Sequence, residues 1–403
     1  MNNYLKCLPF LAVVSSLPIQ NSNLCASNSD GIYAVKTDCS KFVMCSSGHQ
    51  YDYDCPNGLL FNPDILACDW AENTNCGNEI NPTGKPTEIP ITDSNDPTQP
   101  DQPSTSNQCS NFFNYNVIYI DWRLNWSDFK SDIVNSIDNC YNIINLSFWM
   151  SERGFVDAAG AFASLSKSDQ QEILNYAHSN GAKIMLSAGG ATESIEDMVD
   201  NGSGADYGTR AANAVIELGL DGVDFDLELE PGNNEDFINE KMGQFVIDCS
   251  TAARNILGTE KLISHAPQAP YLGTWAGEGL GYTRVMNQYP ELIDFLNVQF
   301  YNQGANQYVT YSSLFVKTLG WTAQTAVLEM IDNGIPADKI VVGKPIGPVG
   351  FASDGFVEAS DLNDWSCEFE ATEGHRIGGF MNWMYPGPND SLIQFGNTVS
   401  MAC

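Results

Sequence analysis

Between Cys109 and Cys403 the chain changes hydrophobic period again and again, and few architectures are compatible with that pattern. Short apolar runs with strand character fall at Val117–Trp122, Ile143–Trp149, Lys183–Ala188, Gly222–Glu228, Leu262–His265, Phe295–Tyr301, Ile340–Gly343 and Gly379–Met384. Most are separated by stretches of helical spacing, such as Lys167–Asn180, Gly208–Gly219, Asn234–Leu257 and Leu314–Asn333. Strands that alternate with helices pair in parallel, because each helix returns the chain to the start of the next strand. Eight such units within residues 109–403 predict an α/β fold, a closed (β/α)8 TIM barrel, whose usual length is about 250 residues. A doubly wound open sheet is the alternative, but no Gly-rich phosphate loop follows any of these strands.

The residues before the barrel are of a different kind. Residues 1–16 have the layout of a secretory signal peptide: Lys6, an apolar run from Cys7 to Val14 broken by Pro9, then small Ser15 and Ser16. That run is too short to span a bilayer, which takes about 20 residues. Six cysteines crowd between Cys25 and Cys76, which points to a small disulfide-rich β module in an oxidising compartment. Zinc is the competing use of such a cluster, yet there is no Cys-x-x-Cys pair and only His49 is nearby, so no metal is expected. Residues 78–108 carry six prolines among Thr, Ser and Asp, with no aromatic residue, and read as an extended linker suited to O-glycosylation. Sequons at Asn125, Asn145, Asn201 and Asn389 fit secretion, although Asn145 lies within an apolar strand and is not expected to be modified.

Charge narrows the partners. With 50 acidic against 18 basic residues and a net charge of −32, the chain is a poor match for nucleic acid or an anionic membrane surface. A neutral, extracellular substrate suits it better, and a monomer is expected.

The chemistry concentrates in Asp221-Gly222-Val223-Asp224-Phe225-Asp226-Leu227-Glu228. On a strand, Val223, Phe225 and Leu227 face the helices while Asp224, Asp226 and Glu228 point into the barrel. Three carboxyls confined there repel one another and lose hydration, so they share protons and at least one is neutral near pH 7. Glu228 ends the strand at the C-terminal face, where barrel enzymes carry their sites, and a protonated carboxyl there is a general acid.

This segment resembles the DGxDxDxE signature of family 18 glycoside hydrolases, the retaining chitinases and their relatives. Ser187-Ala188-Gly189-Gly190, Ala266-Pro267-Gln268 and Gln299-Phe300-Tyr301-Asn302 resemble further motifs of that family, in the same order and on the corresponding strands. The resemblance implies that Glu228 protonates the glycosidic oxygen and later activates water. The substrate's own 2-acetamido group then acts as nucleophile through an oxazolinium intermediate, with retention and no cofactor. Asp226 is implied to orient the acetamido N–H and to exchange a proton with Asp224 as it swings, and Tyr301 to bind the acetamido carbonyl. Trp383, Gln299, Asn302, Gly190 and Gln268 are implied to bind substrate, with Trp383 as floor to the pyranose. Residues 344–378 are too short for the extra α+β domain that walls the cleft in some members, which implies an open cleft and internal cuts.

The cysteine spacing of residues 25–76 is similar to peritrophin-A-type chitin-binding modules. The resemblance implies disulfides Cys25–Cys45, Cys39–Cys76 and Cys55–Cys68, and Trp70, Phe61 and Tyr51 are candidates for exposed rings that stack on sugars. Five cysteines remain (109, 140, 249, 367 and 403), so at least one is free or pairs outside the chain. No Gly-x-Ser-x-Gly elbow or Cys–His context supports another hydrolase chemistry. The expectation is a secreted endochitinase acting on chitin and chitooligosaccharides. A non-catalytic chitin lectin and an endo-β-N-acetylglucosaminidase of N-glycans are the alternatives.

Overall fold

A computed structural model describes residues 31–35, 38–46, 49–55, 59–62, 67–70, 109, 113–121, 129–228, 241–273, 282–387 and 390–400. The expected signal peptide, the linker, Cys25, Cys76 and Cys403 lie outside the described residues, as do the side chains of Tyr51 and Trp70. Two compact units divide near residue 100.

In the first unit, β1 (Gly31–Ala34), β2 (Lys41–Ser46) and β3 (His49–Asp54) form an antiparallel sheet, and β4 (Leu59–Asn62) pairs with β5 (Ala67–Trp70) as a hairpin. The unit is too small for a layered core. Val43 is buried, and Phe61, at 2% exposure, stacks on Phe42 with ring centroids 4.9 Å apart. Phe61 is therefore core and not the exposed sugar-stacking ring expected of it: a module this small has few apolar rings to bury and uses this one. Cys39 and Cys55 are disulfide-bonded.

In the second unit the apolar runs become one closed sheet. Its strands are β6 (Tyr115–Ile120), β7 (Ile143–Met150), β8 (Gly154–Phe155), β9 (Lys183–Gly189), β10 (Gly222–Asp226), β11 (Leu262–His265), β12 (Phe295–Gln299), β13 (Ile340–Pro345) and β14 (Gly379–Trp383). All run parallel except β8, which folds back on β7, and β6 pairs with both β14 and β7 to close the barrel. Closure brings β14 close to β6: a Cβ on Gly379, at φ +151, would lie 1.7 Å from the Tyr115 carbonyl oxygen. Strand alternation then sorts the core. Val117, Tyr119, Met185, Phe295, Val341 and Met381 fill the barrel, while Val223, Phe225 and Leu227 pack outward against the helices.

The helices follow their caps. Helices α1 (Phe129–Asp138) and α2 (Asp157–Ser164) precede α3 (Lys167–Ser179), where Ser166 Oγ accepts from the Asp169 N–H. After α4 (Ile195–Asn201), Ser203 caps α5 (Gly204–Leu218) in the same way and Gly219 ends it in the left-handed region. The described helix α6 (Gly243–Leu257) crosses α5 closely at Gly208, where a Cβ would meet the Cys249 carbonyl oxygen at 2.1 Å. Helices α7 (Tyr282–Gln288), α8 (Val327–Asp332), α9 (Ala359–Glu373) and α10 (Phe395–Val399) are the remaining α-helices among the described residues.

One expected helix is broken. Leu314–Asn333 is divided into a π turn at Ser312–Val316, a 3-10 turn at Gly320–Thr322, and α8. Glu329 collects the N–H groups of Thr318 and Ala326 together with the Thr318 hydroxyl, and Gly320 adopts φ +70. Side-chain bonds to the backbone here compete with the helical ladder. Between β13 and β14 there is only loop and α9, as expected of a barrel without a large insertion. Cys109 and Cys140 are disulfide-bonded, as is Cys367, while Cys249 is free and buried, which accounts for the odd cysteine. Asn145 is buried in β7 and out of reach of modification.

Candidate active site

Strand β10 sets the centre of the site. Parallel register places Asp224 level with Ser187 on β9 and Ser264 on β11, so residues adjacent across the sheet face the same carboxylate. Asp224 Oδ2 accepts from Tyr119 Oη (2.7 Å) and Ser187 Oγ (2.9 Å). Its Oδ1 accepts from Ser264 Oγ (2.6 Å) and Asn297 Nδ2 (3.1 Å). Burial raises the Asp224 pKa and the four donors oppose that rise.

Asp226 is one layer higher, hydrogen-bonded to Glu228 and accepting from Gln299 Nε2 at 3.0 Å. Ladder pairing stops at Asp226, so Glu228 stands two residues beyond the strand, at its C-terminal end. Burial, the charge of Glu228 and the charge of Asp224 push the Asp226 carboxyl well above the ordinary range. Burial raises Glu228 too, although Gln268, Gln299 and Asp226 all hydrogen-bond to it. Both shifts run upward, the direction in which two adjacent buried carboxyls hold a proton between them. In this arrangement both oxygens of Asp224 accept two donors each, and Asp226 is the group hydrogen-bonded to Glu228.

The neighbouring strands supply the walls. Gln268 and Gln299 bridge β11 and β12, and Gln299 Nε2 also donates to the Ala266 carbonyl at 2.9 Å. Tyr301 is 4% exposed, and burial together with the charges of Asp226, Glu228 and Asp224 keeps its phenol protonated. Trp383, at the end of β14, is partly exposed, its ring 5.7 Å from that of Tyr119 and stacked 6.1 Å from Phe148. The Gly189-Gly190 turn lies against β10: the Gly190 N–H donates to the Asp226 carbonyl at 2.8 Å, and a Cβ on Gly189 would meet that oxygen at 2.1 Å.

Not every expected residue joins this group. Asn302 is exposed, at φ +63, and its Oδ1 accepts from the N–H (2.8 Å) and hydroxyl (3.0 Å) of Ser353, tying two loops together. Four residues were missed as partners of the acids: Tyr119, Ser187, Ser264 and Asn297. Each is polar, on an inward position of a different strand, and the layering of barrel interiors is the signal that could have grouped them. Asp121, whose charge also acts on Asp226, was missed as well. Among the described residues no group of His, Cys, Asp or Glu is placed to hold a metal ion. Chemically, the arrangement offers a proton-bearing carboxyl pair at the barrel mouth beside a phenol and an indole, suited to protonating a leaving oxygen.

Comparison with known proteins agrees. A family model described as "Glycosyl hydrolases family 18" matches residues 116–383, and "Chitin binding Peritrophin-A domain" matches residues 25–76. A "Probable endochitinase" of Caenorhabditis elegans is 43% identical over 47 residues, 12% of this chain and 8% of that protein. "Chitinase Chi52" of Paenibacillus xylanexedens is 23% identical over 269 residues, 59% of this chain and 50% of that protein. The chain thus spans no more than half the length of either. A solved GH18 chitinase from Pseudoalteromonas aurantia shares the fold, with a TM-score of 0.55 at 22% identity over 71% of this chain and 99% of that one.

Proposed function

The chain belongs to glycosyl hydrolase family 18, and from that premise we propose that it hydrolyses internal β-1,4 bonds of chitin with retention of configuration. The observation that carries this reading is the buried, hydrogen-bonded carboxyl pair Asp226 and Glu228 at the C-terminal end of β10, both raised above the ordinary carboxylate range. Glu228 donates the proton to the glycosidic oxygen, and general acid catalysis of this kind contributes roughly 10²–10⁴-fold. The substrate's 2-acetamido oxygen attacks the anomeric carbon, and the bond to the leaving oxygen breaks to give an oxazolinium ion. Asp226, turned toward Glu228, accepts from the acetamido N–H and balances its growing positive charge. Asp224, saturated with donors, supplies fixed negative charge that keeps a proton on the pair above it. Tyr301 donates to the acetamido oxygen, Gln299 and Gln268 hold the acids, and Trp383 floors the pyranose. Glu228 then takes a proton from the water that opens the oxazolinium.

The short β13–β14 connection inserts no further domain beside the cleft, which supports internal cutting. The peritrophin-A module favours chitin over N-glycans as the substrate, with Tyr51 and Trp70 as its sugar-stacking candidates. Secretion behind a signal peptide, the linker at 78–108 and a monomeric state complete the proposal. The test compares wild type with Glu228→Gln on a chromogenic N-acetylglucosamine oligomer and on colloidal chitin. Loss of turnover in the variant with chitin binding retained is expected. Substantial turnover in Glu228→Gln removes that residue as the acid. Binding without turnover in the wild type makes the chain a lectin, and release of N-glycans with no action on chitin makes it an endo-β-N-acetylglucosaminidase.

A further inference from the structure

Lys344, near the end of β13, is fully buried on the outer side of the barrel wall, where apolar residues are the rule. Its Nζ donates to three backbone carbonyls, those of Phe300 (2.9 Å), Tyr308 (2.7 Å) and Gly355 (3.0 Å). An ammonium has three N–H donors, and all three are used. The Phe300 carbonyl belongs to the peptide that leads into Tyr301. Gly355, at φ +94, lies against the same residue: a Cβ there would come within 2.6 Å of the Tyr301 Cα and 2.7 Å of its Cβ. The two loops are tied again by Asp354, which accepts from the N–H groups of Gln303 and Gly304, both at 3.1 Å.

We propose that the Lys344 ammonium is the positioning group for Tyr301, holding it through the Phe300 carbonyl and the Gly355 turn. The proposal rests on the role given to Tyr301 above. A neutral amine has two donors for three carbonyls and turns its lone pair toward one of them, so the clamp works only when protonated. Burial pulls the Lys344 pKa down to about 7, opposed by the charge of Asp354. Asp354 is the charged group that faces it among the described residues. The phenols on the packed loops, Tyr301 and Tyr308, are raised by burial and stay neutral.

The sign separates this role from a purely structural one. As pH rises through about 7, the folded chain loses this proton while the unfolded chain keeps it up to about 10.4. The unfolded state binds more protons in that window, so this group makes the fold more stable as pH rises. Turnover falls over the same window because Tyr301 loosens.

Three single variants and one double variant test the proposal on a soluble oligomer, with thermal melts alongside. Lys344→Met is expected to lose about a hundredfold in kcat with little change in KM, the scale of a misplaced catalytic group. Tyr301→Phe is expected to lose a comparable amount, and the double variant no more than the larger single loss. Asp354→Asn removes the facing charge and moves the alkaline limb of kcat to lower pH; it serves alone where Lys344→Met does not fold. Fully additive losses, or an alkaline limb unmoved in Asp354→Asn, overturn the role of Lys344 and leave that of Tyr301 standing. A Tyr301→Phe variant as active as wild type overturns both.

Discussion

At the scale of single residues, the site keeps protons where solvent chemistry would remove them. Asp226 and Glu228 are both raised by burial, and Asp226 further by its neighbours' charges, so the folded chain holds more protons than the unfolded one from the ordinary carboxylate range, about pH 4, up to the raised values. Stability from this pair is fully present below that range and lost as pH rises through it. Asp226→Asn should therefore lose about a hundredfold or more in turnover yet melt higher than wild type at pH 8, with the gap closing at pH 4; each kcal/mol corresponds to about 2–4 °C. Melts and rates at the two pH values check this, and a gap that does not widen with pH would exclude the shared proton. The acid triplet was legible because strand alternation alone puts Asp224, Asp226 and Glu228 on one side. The donors around Asp224 were not, since Tyr119, Ser187, Ser264 and Asn297 lie on four other strands and meet only through the register. Phe61 shows the reverse failure: aromatic content announced ring faces without saying which ring the small core would take.

Among the elements, strands were easier to read than helices. Each parallel strand was anticipated to within a few residues because a barrel wall buries both faces and leaves an apolar run. Helix Leu314–Asn333 was not, because its Thr and Glu side chains carry helical spacing yet bond to the backbone and break it. The α5–α6 crossing offers a test whose sign is informative. In a free helix Gly208→Ala would stabilise by up to about 1 kcal/mol. Against the Cys249 carbonyl, 2.1 Å from the new Cβ, the helices must separate, and a loss of about 1–3 kcal/mol is expected instead. Denaturant unfolding measures it. A more stable variant would mean that the two helices do not approach this closely, while turnover per folded molecule at 25 °C should be unchanged.

For the whole molecule, the proposed function gives the two units different tasks. A barrel in solution meets an insoluble polymer rarely. Under the proposed function, a chitin-binding unit linked through residues 78–108 turns re-binding into an intramolecular event, and linked sites of this kind can gain about 10²–10⁴-fold in avidity without a new contact. Charge does not supply that gain: at −32 the chain has no electrostatic attraction for a neutral polysaccharide. Deleting residues 25–76 should therefore leave kcat and KM on a soluble oligomer unchanged. Activity on colloidal chitin should fall about tenfold or more at low loading and recover as the polymer is made abundant, because tethering acts only while the surface is scarce. The same deficit should persist from low to high salt, since stacked rings and neutral sugars offer nothing for ions to screen. Parallel assays on soluble and insoluble substrate decide the matter. An equal loss on both would mean that the module supports the barrel's own fold or cleft, and no loss on either would mean that residues 25–76 do not hold chitin.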